Sequence, residues 1–397
     1  MILGASAEPM HTPRNMPAAT ADSVGMSIKG LAEIDILFRN KIDAGLIQGG
    51  VTIVARKGRV VHFSTHGKMD VGNDRAMERD ASFLMASSSK PLYAVAAMVL
   101  VDEGLISVDE PVAKYIPEFT DIKVAIPVDS SEEVYSKRKK ESEQYHLVSV
   151  DRPVTIYDLL THTSGIPWLS LTSVEKKRSK NSSDDITTRV QRIASSPLAF
   201  QPGTKWGYSN DALDVIGRVI EVTSGSTLKK FMHEKLFRPL EMNNTYFGLP
   251  KEKASKRMVL QGKHQEAALN KYFEDKGIVS IAEDYLHFNQ MLLNHGELFG
   301  RRVLSQESVR MISTDHVGDL FSRGDKRPKG MGFGFMVSVT LDPEEAENSR
   351  GKGSFGWGGM GGTSSWVDPE NELVGVLMLQ QEHGQGFEKA ISASINR

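Results

Sequence analysis

Strand-forming runs occur at both ends of this chain, and helical segments fill its middle. Near the start, two β-branched runs flank a Lys57-Gly58 turn, which predicts a β-hairpin. Near the end, further strands are predicted at Gly332 to Thr340, Thr363 to Asp368 and Leu373 to Gln380. The segment from 155 to about 300 is mostly helical and is broken by Gly, Pro and Asn. Because strands need partners, we expect both ends of the chain to share one sheet.

This order of segments predicts an α/β (α+β) fold, in which helices flank a central antiparallel sheet and a mainly helical subdomain is inserted. Apolar residues at helical spacing predict a first helix from Ser27 to about Ala44. The expected units are a loose N-terminal arm, a sheet subdomain in two pieces, and a helical subdomain with a charged insertion. Their boundaries are 1–25, 26–105 with 300–397, 106–299, and about 123–150 for the insertion.

The charge balance excludes some classes of partner. Forty-eight Lys and Arg face 50 Asp and Glu, so the formal net charge is -2 and the chain lacks an electrostatic footprint for nucleic acid or anionic membrane. No apolar stretch approaches the roughly 18 residues that span a bilayer, and the first residues do not form a signal peptide. The chain contains no cysteine, hence no disulfide and no thiolate nucleophile. We therefore expect a cytoplasmic protein.

The segment Ala-Ser-Ser-Ser-Lys-Pro at 86–91 contains the spacing S-x-x-K, with Ser87 and Lys90 one helical turn apart. Serine is also a favoured helix N-cap, so this spacing alone decides nothing. Ser87 differs from the other matches because apolar residues precede it and a strongly apolar helix follows it. A buried helix N-terminus there would favour developing negative charge. The other matches are Ser136/Lys139, Ser173/Lys176, Ser226/Lys229 and Ser349/Lys352.

A nucleophilic serine needs a base, and the sequence offers two candidates. His162 in Leu-Leu-Thr-His-Thr-Ser-Gly could serve a Ser-His-Asp triad, although its position in a helix-ending turn favours a structural role. Tyr208 lies in the turn-rich stretch Pro-Gly-Thr-Lys-Trp-Gly-Tyr-Ser-Asn at 202–210. A nearby ammonium group would lower the pKa of Tyr208 from about 10, so that it could accept the serine proton and deliver it to a leaving group.

A glycine-rich stretch at 354–369 is the third element. It is typical of a tightly packed hairpin edge. The same lack of side chains would let a substrate lie along the strand, where a backbone N–H could join that of Ser87 in an oxyanion hole.

Together these three stretches resemble the serine β-lactamase and penicillin-binding-protein superfamily, and most closely its family VIII carboxylesterases, which share the class C β-lactamase fold. Ser-Ser-Ser-Lys at 87–90 corresponds to the family's S-x-x-K, and Tyr-Ser-Asn at 208–210 to its Y-x-N. The resemblance covers about residues 30 to 380 and implies a β-lactamase-like fold.

The resemblance also implies roles for individual residues. Ser87 would be the nucleophile, Lys90 would hold a proton or positive charge beside it, and Tyr208 would be the general base. Asn210 would orient Lys90 or contact the acyl group. Met360 would supply the second N–H of the oxyanion hole, alongside Ser87.

The sequence departs from the family at one motif. Where β-lactamases and DD-peptidases have K-T-G, this chain has Trp357-Gly358-Gly359. The family's esterases resemble this sequence in having W-G-G or a similar tripeptide at that place. The K-T-G lysine is implied to help bind a substrate carboxylate. Its replacement by Trp357 removes that contact and adds an apolar wall. Trp357, Gly358 and Gly359 are expected to bind substrate with Asn210, and Trp168 and Trp206 are further pocket-wall or core candidates.

We therefore expect a serine carboxylesterase that hydrolyses short-chain esters through an acyl-enzyme, with a small-molecule ester as substrate, no metal or organic cofactor, and a possible homo-oligomeric state. The alternatives are a β-lactamase or D-amino-acid peptidase on the same fold, an acyltransferase, and a catalytically silent binding module.

Overall fold

The computed structural model describes residues 15–127, 145–167, 185–259, 273, 277–322, 329–381 and 383–396. The strands in this part of the chain are β1 Gly49–Arg56, β2 Arg59–Asp70, β3 Arg75–Ala76, β4 Phe83–Leu84, β5 Lys123–Pro127, β6 Tyr145–Ser149, β7 Tyr246–Phe247, β8 Ile278–Ser280, β9 Glu297–Leu298, β10 Arg301–Arg302, β11 Met331–Phe333, β12 Ser338–Thr340, β13 Phe355–Gly358, β14 Ser364–Asp368 and β15 Leu373–Met378.

The α-helices in the same ranges are α1 Ile28–Asp43, α2 Lys90–Asp102, α3 Ile156–Leu160, α4 Ile186–Ala194, α5 Asp211–Ser224, α6 Leu228–Met232, α7 Ala282–Leu293, α8 Gln306–Ser313, α9 Asp319–Ser322 and α10 Phe387–Ala393. Short 3-10 helices lie at Asp22–Val24, Ala86–Ser89, Val112–Lys114, Pro117–Phe119 and Lys251–Lys256, and a π-helix at His233–Phe237.

Both ends of the chain contribute to one antiparallel sheet, as the sequence predicts. Among the described residues eight strands form it, in the order β11-β12-β13-β14-β15-β1-β2-β3. The central pair joins the two ends of the chain, with Val51 of β1 opposite Met378 of β15. The predicted β1–β2 hairpin also forms, because Lys57 and Gly58 both adopt the left-handed conformation (φ 51° and 70°) that a tight two-residue turn needs.

One predicted strand is wrong. The run from Gly332 to Thr340 forms two short strands, β11 and β12, which pair with each other. Between them Gly334 N–H donates to Val337 O at 2.8 Å, and Met336 takes a left-handed φ of 60°. Phe335 and Met336 are fully buried in the core. A turn made of apolar residues is indistinguishable from a strand in the sequence pattern, since both are equally hydrophobic.

Helices cover both faces of the sheet. One hydrophobic core lies between the sheet and helices that include α2, α5 and α7, and contains Val51, Ile53 and Val376. A second core lies on the opposite face, where α1 and α10 pack on Val54 and Leu377. Helix α1 confirms the predicted first helix, and the Ser27 side chain caps it by accepting the Gly30 N–H at 3.1 Å.

The described part of the predicted N-terminal arm contacts β2. Val60 N–H donates to Pro17 O, Ala19 N–H donates to Val60 O, both at 2.9 Å, and Met16 is buried. In the predicted charged insertion, β5 and β6 pair in antiparallel orientation, and residues 128–144 lie outside the described residues. None of the described helices combines the length and the apolar character that crossing a membrane requires.

Candidate active site

Ser87 lies on the short 3-10 helix Ala86–Ser89, at the junction between β4 and α2. Ala86 has a φ of 46°, a left-handed conformation that is uncommon for a residue with a Cβ. This residue turns the chain sharply out of the strand. Ser87 is half-buried, whereas its neighbours Ser88 and Ser89 are buried, so of the three serines Ser87 is the most accessible.

Lys90 follows one turn later and is buried. Its Nζ donates to Ser87 Oγ at 3.3 Å and to Asn210 Oδ1 at 2.7 Å. Burial lowers the pKa of Lys90 to about 7, because the charged ammonium is disfavoured away from water. The amine can therefore change its charge near neutral pH.

Tyr208 is the second side chain that contacts Ser87. Its hydroxyl donates to Ser87 Oγ at 2.8 Å, and Lys90 Nζ lies 4.4 Å from the centre of its ring. Ser87 Oγ therefore meets the phenol and the amine together. Asn210, two residues after Tyr208, is exposed, and its side-chain Oδ1 accepts the hydrogen bond from Lys90. The structure brings together these four predicted residues.

The contacts that the structure shows for His162 include Tyr208 and the residue next to it. Its Nδ1 accepts the Ser209 N–H at 3.3 Å, and its ring packs 4.8 Å from the ring of Tyr208. The described residues that contact Ser87 Oγ are therefore Lys90 and Tyr208, and not the histidine of the Ser-His-Asp triad that the sequence left open.

The predicted oxyanion segment lies directly beside Ser87. After β13 the chain turns, with Gly359 N–H donating to Thr363 O at 2.7 Å. Ser88 Oγ donates to Thr363 O at 3.1 Å, and Thr363 Oγ1 donates to Met85 O at 3.2 Å. A Cβ on Gly359 would overlap Met85 O and Thr363 Oγ1, so a glycine is needed for this close approach. Met360 stands next in the turn with 59% of its surface exposed.

Aromatic side chains form one wall of the site. Trp357 stacks on Tyr208 with ring centres 5.8 Å apart, and its ring meets Phe333 edge-on at 5.4 Å. Trp206 contacts Phe333 at 5.3 Å. Gly358 ends β13 beside Trp357 and is exposed. Trp168 lies outside the described residues.

The other S-x-x-K matches divide into two that the structure describes and two that it does not. Ser136 and Ser173 lie outside the described residues, Ser226 follows the end of α5, and Ser349 lies in the loop before β13. In the described ranges no group of three or more His, Asp or Glu is arranged to hold a metal ion.

Three contributors to this geometry were missed in the sequence. Ser88 and Thr363 link the nucleophile segment to the β13 turn, and the Tyr285 hydroxyl of α7 donates to Ser88 O. Ser88 and Thr363 belong to motifs that the sequence singled out, but the spacing does not indicate that they touch. Tyr285 had no signal, because it is a buried aromatic residue in an otherwise ordinary core helix.

Known proteins are similar to this chain over most of its length. A family model described as Beta-lactamase matches residues 34–395. Protein Rv1367c of Mycobacterium tuberculosis is 30% identical over 367 residues, which cover 86% of this chain and 88% of that protein. Esterase EstB of Burkholderia gladioli is 29% identical over 419 residues, covering 96% and 98%. A solved structure of "EstCE1, a hydrolase with promiscuous acyltransferase activity" superposes with a TM-score of 0.75 at 24% identity, covering 93% of this chain and 99% of that one.

Proposed function

The chain belongs to the Beta-lactamase family and is a serine hydrolase of that fold, and from this premise we propose that it hydrolyses short-chain carboxylic esters through an acyl-enzyme on Ser87. The observation that carries the proposal is the environment of one oxygen atom. Ser87 Oγ lies 2.8 Å from the Tyr208 hydroxyl and 3.3 Å from Lys90 Nζ, at the start of an apolar helix. A hydroxyl held between two proton-transfer groups is the arrangement that nucleophilic catalysis requires.

The proposed reaction begins when Ser87 Oγ attacks the ester carbonyl carbon. The serine proton passes to the Tyr208–Lys90 pair. The pair can accept this proton when Lys90 is neutral. The backbone N–H groups of Ser87 and Met360 stabilise the negative charge on the tetrahedral intermediate. Its collapse breaks the C–O bond to the alcohol, and Tyr208 returns the proton to that oxygen. Water then attacks the acyl-enzyme by the same steps and releases the acid.

Esters are favoured over β-lactams and peptides by the chemistry at position 357. A K-T-G lysine would offer a cation to a substrate carboxylate, whereas Trp357 offers an indole that stacks on Tyr208. An uncharged acyl or alcohol group suits that apolar wall better than a carboxylate. The name of the relative "Esterase EstB" agrees with this choice.

The test compares ester and β-lactam turnover in matched serine variants. Hydrolysis of p-nitrophenyl acetate, butyrate and laurate, and of nitrocefin, is measured for the wild type, Ser87→Ala and Ser89→Ala. Ser89 is the control, since its Oγ donates to the backbone at Ala86 O. We expect turnover of the short esters in the wild type and Ser89→Ala, none in Ser87→Ala, and little cleavage of nitrocefin. Mass spectrometry of the quenched reaction should find the acyl group on the Ser87 peptide.

Other outcomes would contradict the proposal in different ways. Nitrocefin cleaved faster than the esters would make the protein a β-lactamase. Products formed mainly with an added alcohol would make it an acyltransferase. Equal inactivity of the wild type and Ser87→Ala on every substrate would leave a binding module.

A further inference from the structure

The turn that follows α3 lies behind Tyr208, and His162 is at its centre. His162 is fully buried and has a left-handed φ of 58°. Among residues with a Cβ, this conformation is several-fold enriched for His, Asn and Asp. The backbone at this position therefore limits which side chains can replace His162 without strain.

Three hydrogen bonds join this turn to the segment that contains Tyr208. Gly203 N–H donates to Thr163 O and Gly207 N–H donates to His162 O, both at 2.8 Å. The third is made by a side chain, as Ser209 N–H donates to His162 Nδ1 at 3.3 Å. Ser209 lies between Tyr208 and Asn210, whose side chains meet Ser87 and Lys90. The imidazole thus holds the chain at the residue between the two.

The turn itself is firmly anchored. Asp158 is completely buried, and Arg152 contacts both of its carboxylate oxygens at 2.6 and 2.8 Å. Thr163 Oγ1 donates to the same carboxylate at 3.1 Å, and Thr155 forms a capping box with it at the start of α3. Charge-assisted bonds of this kind are short and directional, so His162 projects from a rigid support.

The direction of the bond to Ser209 determines the state of the imidazole. A ring nitrogen that accepts a hydrogen bond cannot also carry a proton, so the proton of the neutral ring is on Nε2. The ring then packs against Tyr208 at 4.8 Å and Phe333 at 5.5 Å, and fills the space behind the phenol. One side chain thereby fixes both the backbone after Tyr208 and the back of its ring.

We propose that His162 is a positioning residue: through Nδ1 and its packing it holds the segment 207–210 so that the Tyr208 hydroxyl and Asn210 Oδ1 meet Ser87 and Lys90. This inference rests on the proposed role of Ser87 as the nucleophile. It assigns His162 no proton transfer to substrate, and it explains why a polar side chain is buried in an aromatic cluster.

Two variants separate the acceptor from the rest of the side chain. In His162→Asn the amide oxygen can take the place of Nδ1, and Asn tolerates the left-handed backbone. In His162→Gln the added methylene moves the acceptor away from Ser209, and any backbone strain of Gln at this left-handed φ is read from the Tm. Both are compared with the wild type and Ser87→Ala in p-nitrophenyl ester turnover and in phosphorylation by paraoxon. In that reaction Ser87 Oγ bonds to phosphorus, p-nitrophenolate leaves, and the serine proton passes to the Tyr208–Lys90 pair. Thermal unfolding is recorded for each variant.

We expect His162→Asn, which keeps the acceptor but loses the ring behind Tyr208, to lose much less of kcat and of the paraoxon rate than His162→Gln. His162→Gln should lose about 10²-fold in both with little change in KM, because a small displacement of a proton-transfer group costs that much. Rates are expressed per reactive site, which removes any loss of folded protein.

The proposal is overturned if both variants react like the wild type, if both are slowed equally, or if His162→Gln changes only the Tm. A wild type that reacts with paraoxon but does not hydrolyse esters would contradict the proposed esterase function alone, and the paraoxon comparison would still decide the role of His162. A wild type that does neither would overturn both proposals.

Discussion

Lys90 places an amine in a buried position next to the proposed nucleophile. Its partner Asn210 Oδ1, at 2.7 Å, accepts a hydrogen bond from either charge state of the amine, so this contact does not require an ammonium group. Burial therefore dominates and lowers the pKa of Lys90 to about 7. The ordinary lysine pKa of about 10.4 would keep the amine charged throughout the physiological range.

The pKa of Lys90 predicts how turnover depends on pH. Below about pH 7 the amine is protonated and cannot help to take the serine proton, whereas above it the neutral amine can. We expect kcat/KM for p-nitrophenyl acetate to rise with pH and to level off above a midpoint near 7, measured between about pH 5 and 9. Lys90→Arg, which stays charged, should show almost no turnover at any pH. A profile that is flat or that falls over this range would contradict the prediction.

Individual site residues could be predicted where a motif specifies residue types at a fixed spacing. Backbone conformations and contacts between distant segments could not be predicted in this way. The S-x-x-K and Y-x-N spacings indicated Ser87, Lys90, Tyr208 and Asn210, which do lie together. The left-handed Ala86 could not be predicted, because Ala has no preference for that conformation.

Two elements meet at the candidate site, the 3-10 helix with Ser87 and the turn after β13. They are joined by Ser88 and Thr363 and by the bare backbone of Gly359. In the proposed mechanism neither element alone forms the oxyanion hole, since each supplies one of its two N–H groups. The proposed chemistry therefore depends on the distance between the two elements.

Adding one methyl group at Gly359 should separate these elements. A Cβ there overlaps Met85 O, so Gly359→Ala is expected to lower kcat by about 10²-fold, the usual cost of losing one oxyanion donor. Gly358→Ala is the matched comparison, because its Cβ would stand 3.5 Å from the nearest atom, and its loss should be much smaller. Steady-state kinetics with p-nitrophenyl butyrate measures both. Equal losses would show that the approach of Gly359 is unimportant.

Elements were predicted well where periodicity and turn chemistry agree. Helix α1 and the β1–β2 hairpin follow from an apolar stripe and from a Lys-Gly turn. The β11–β12 hairpin was not predicted, because its turn contains Phe335 and Met336 where a turn usually has polar residues. Contacts with the core there override the local pattern.

At the scale of the molecule the sheet separates two cores. Ser87 and α2 belong to one face, while α1, α10 and the side chains beneath them belong to the other. We therefore expect substitutions in the second core to change stability without changing catalysis.

Phe38 tests this separation. It is fully buried in the second core between His66 and Phe387, with ring centres 4.5 and 4.3 Å away. We expect Phe38→Ala to lower the free energy of unfolding by about 3–5 kcal/mol, since it leaves a cavity. The kcat of the folded fraction should be unchanged, because α1 packs in the second core and α2 packs in the first. Urea unfolding and ester hydrolysis on one preparation measure both, and a parallel fall in kcat would contradict the separation.

The pairing of β1 with β15 has a consequence for synthesis on the ribosome. Thr52 Oγ1 donates to Val376 O, and these residues are 324 positions apart. At roughly 5–20 residues per second, β1 waits on the order of 16–65 seconds for that partner to be translated. During this time one edge of β1 is open to pairing with other chains. The turn that contains Met360 also emerges late, so Ser87 is synthesised long before the proposed second donor of the oxyanion hole.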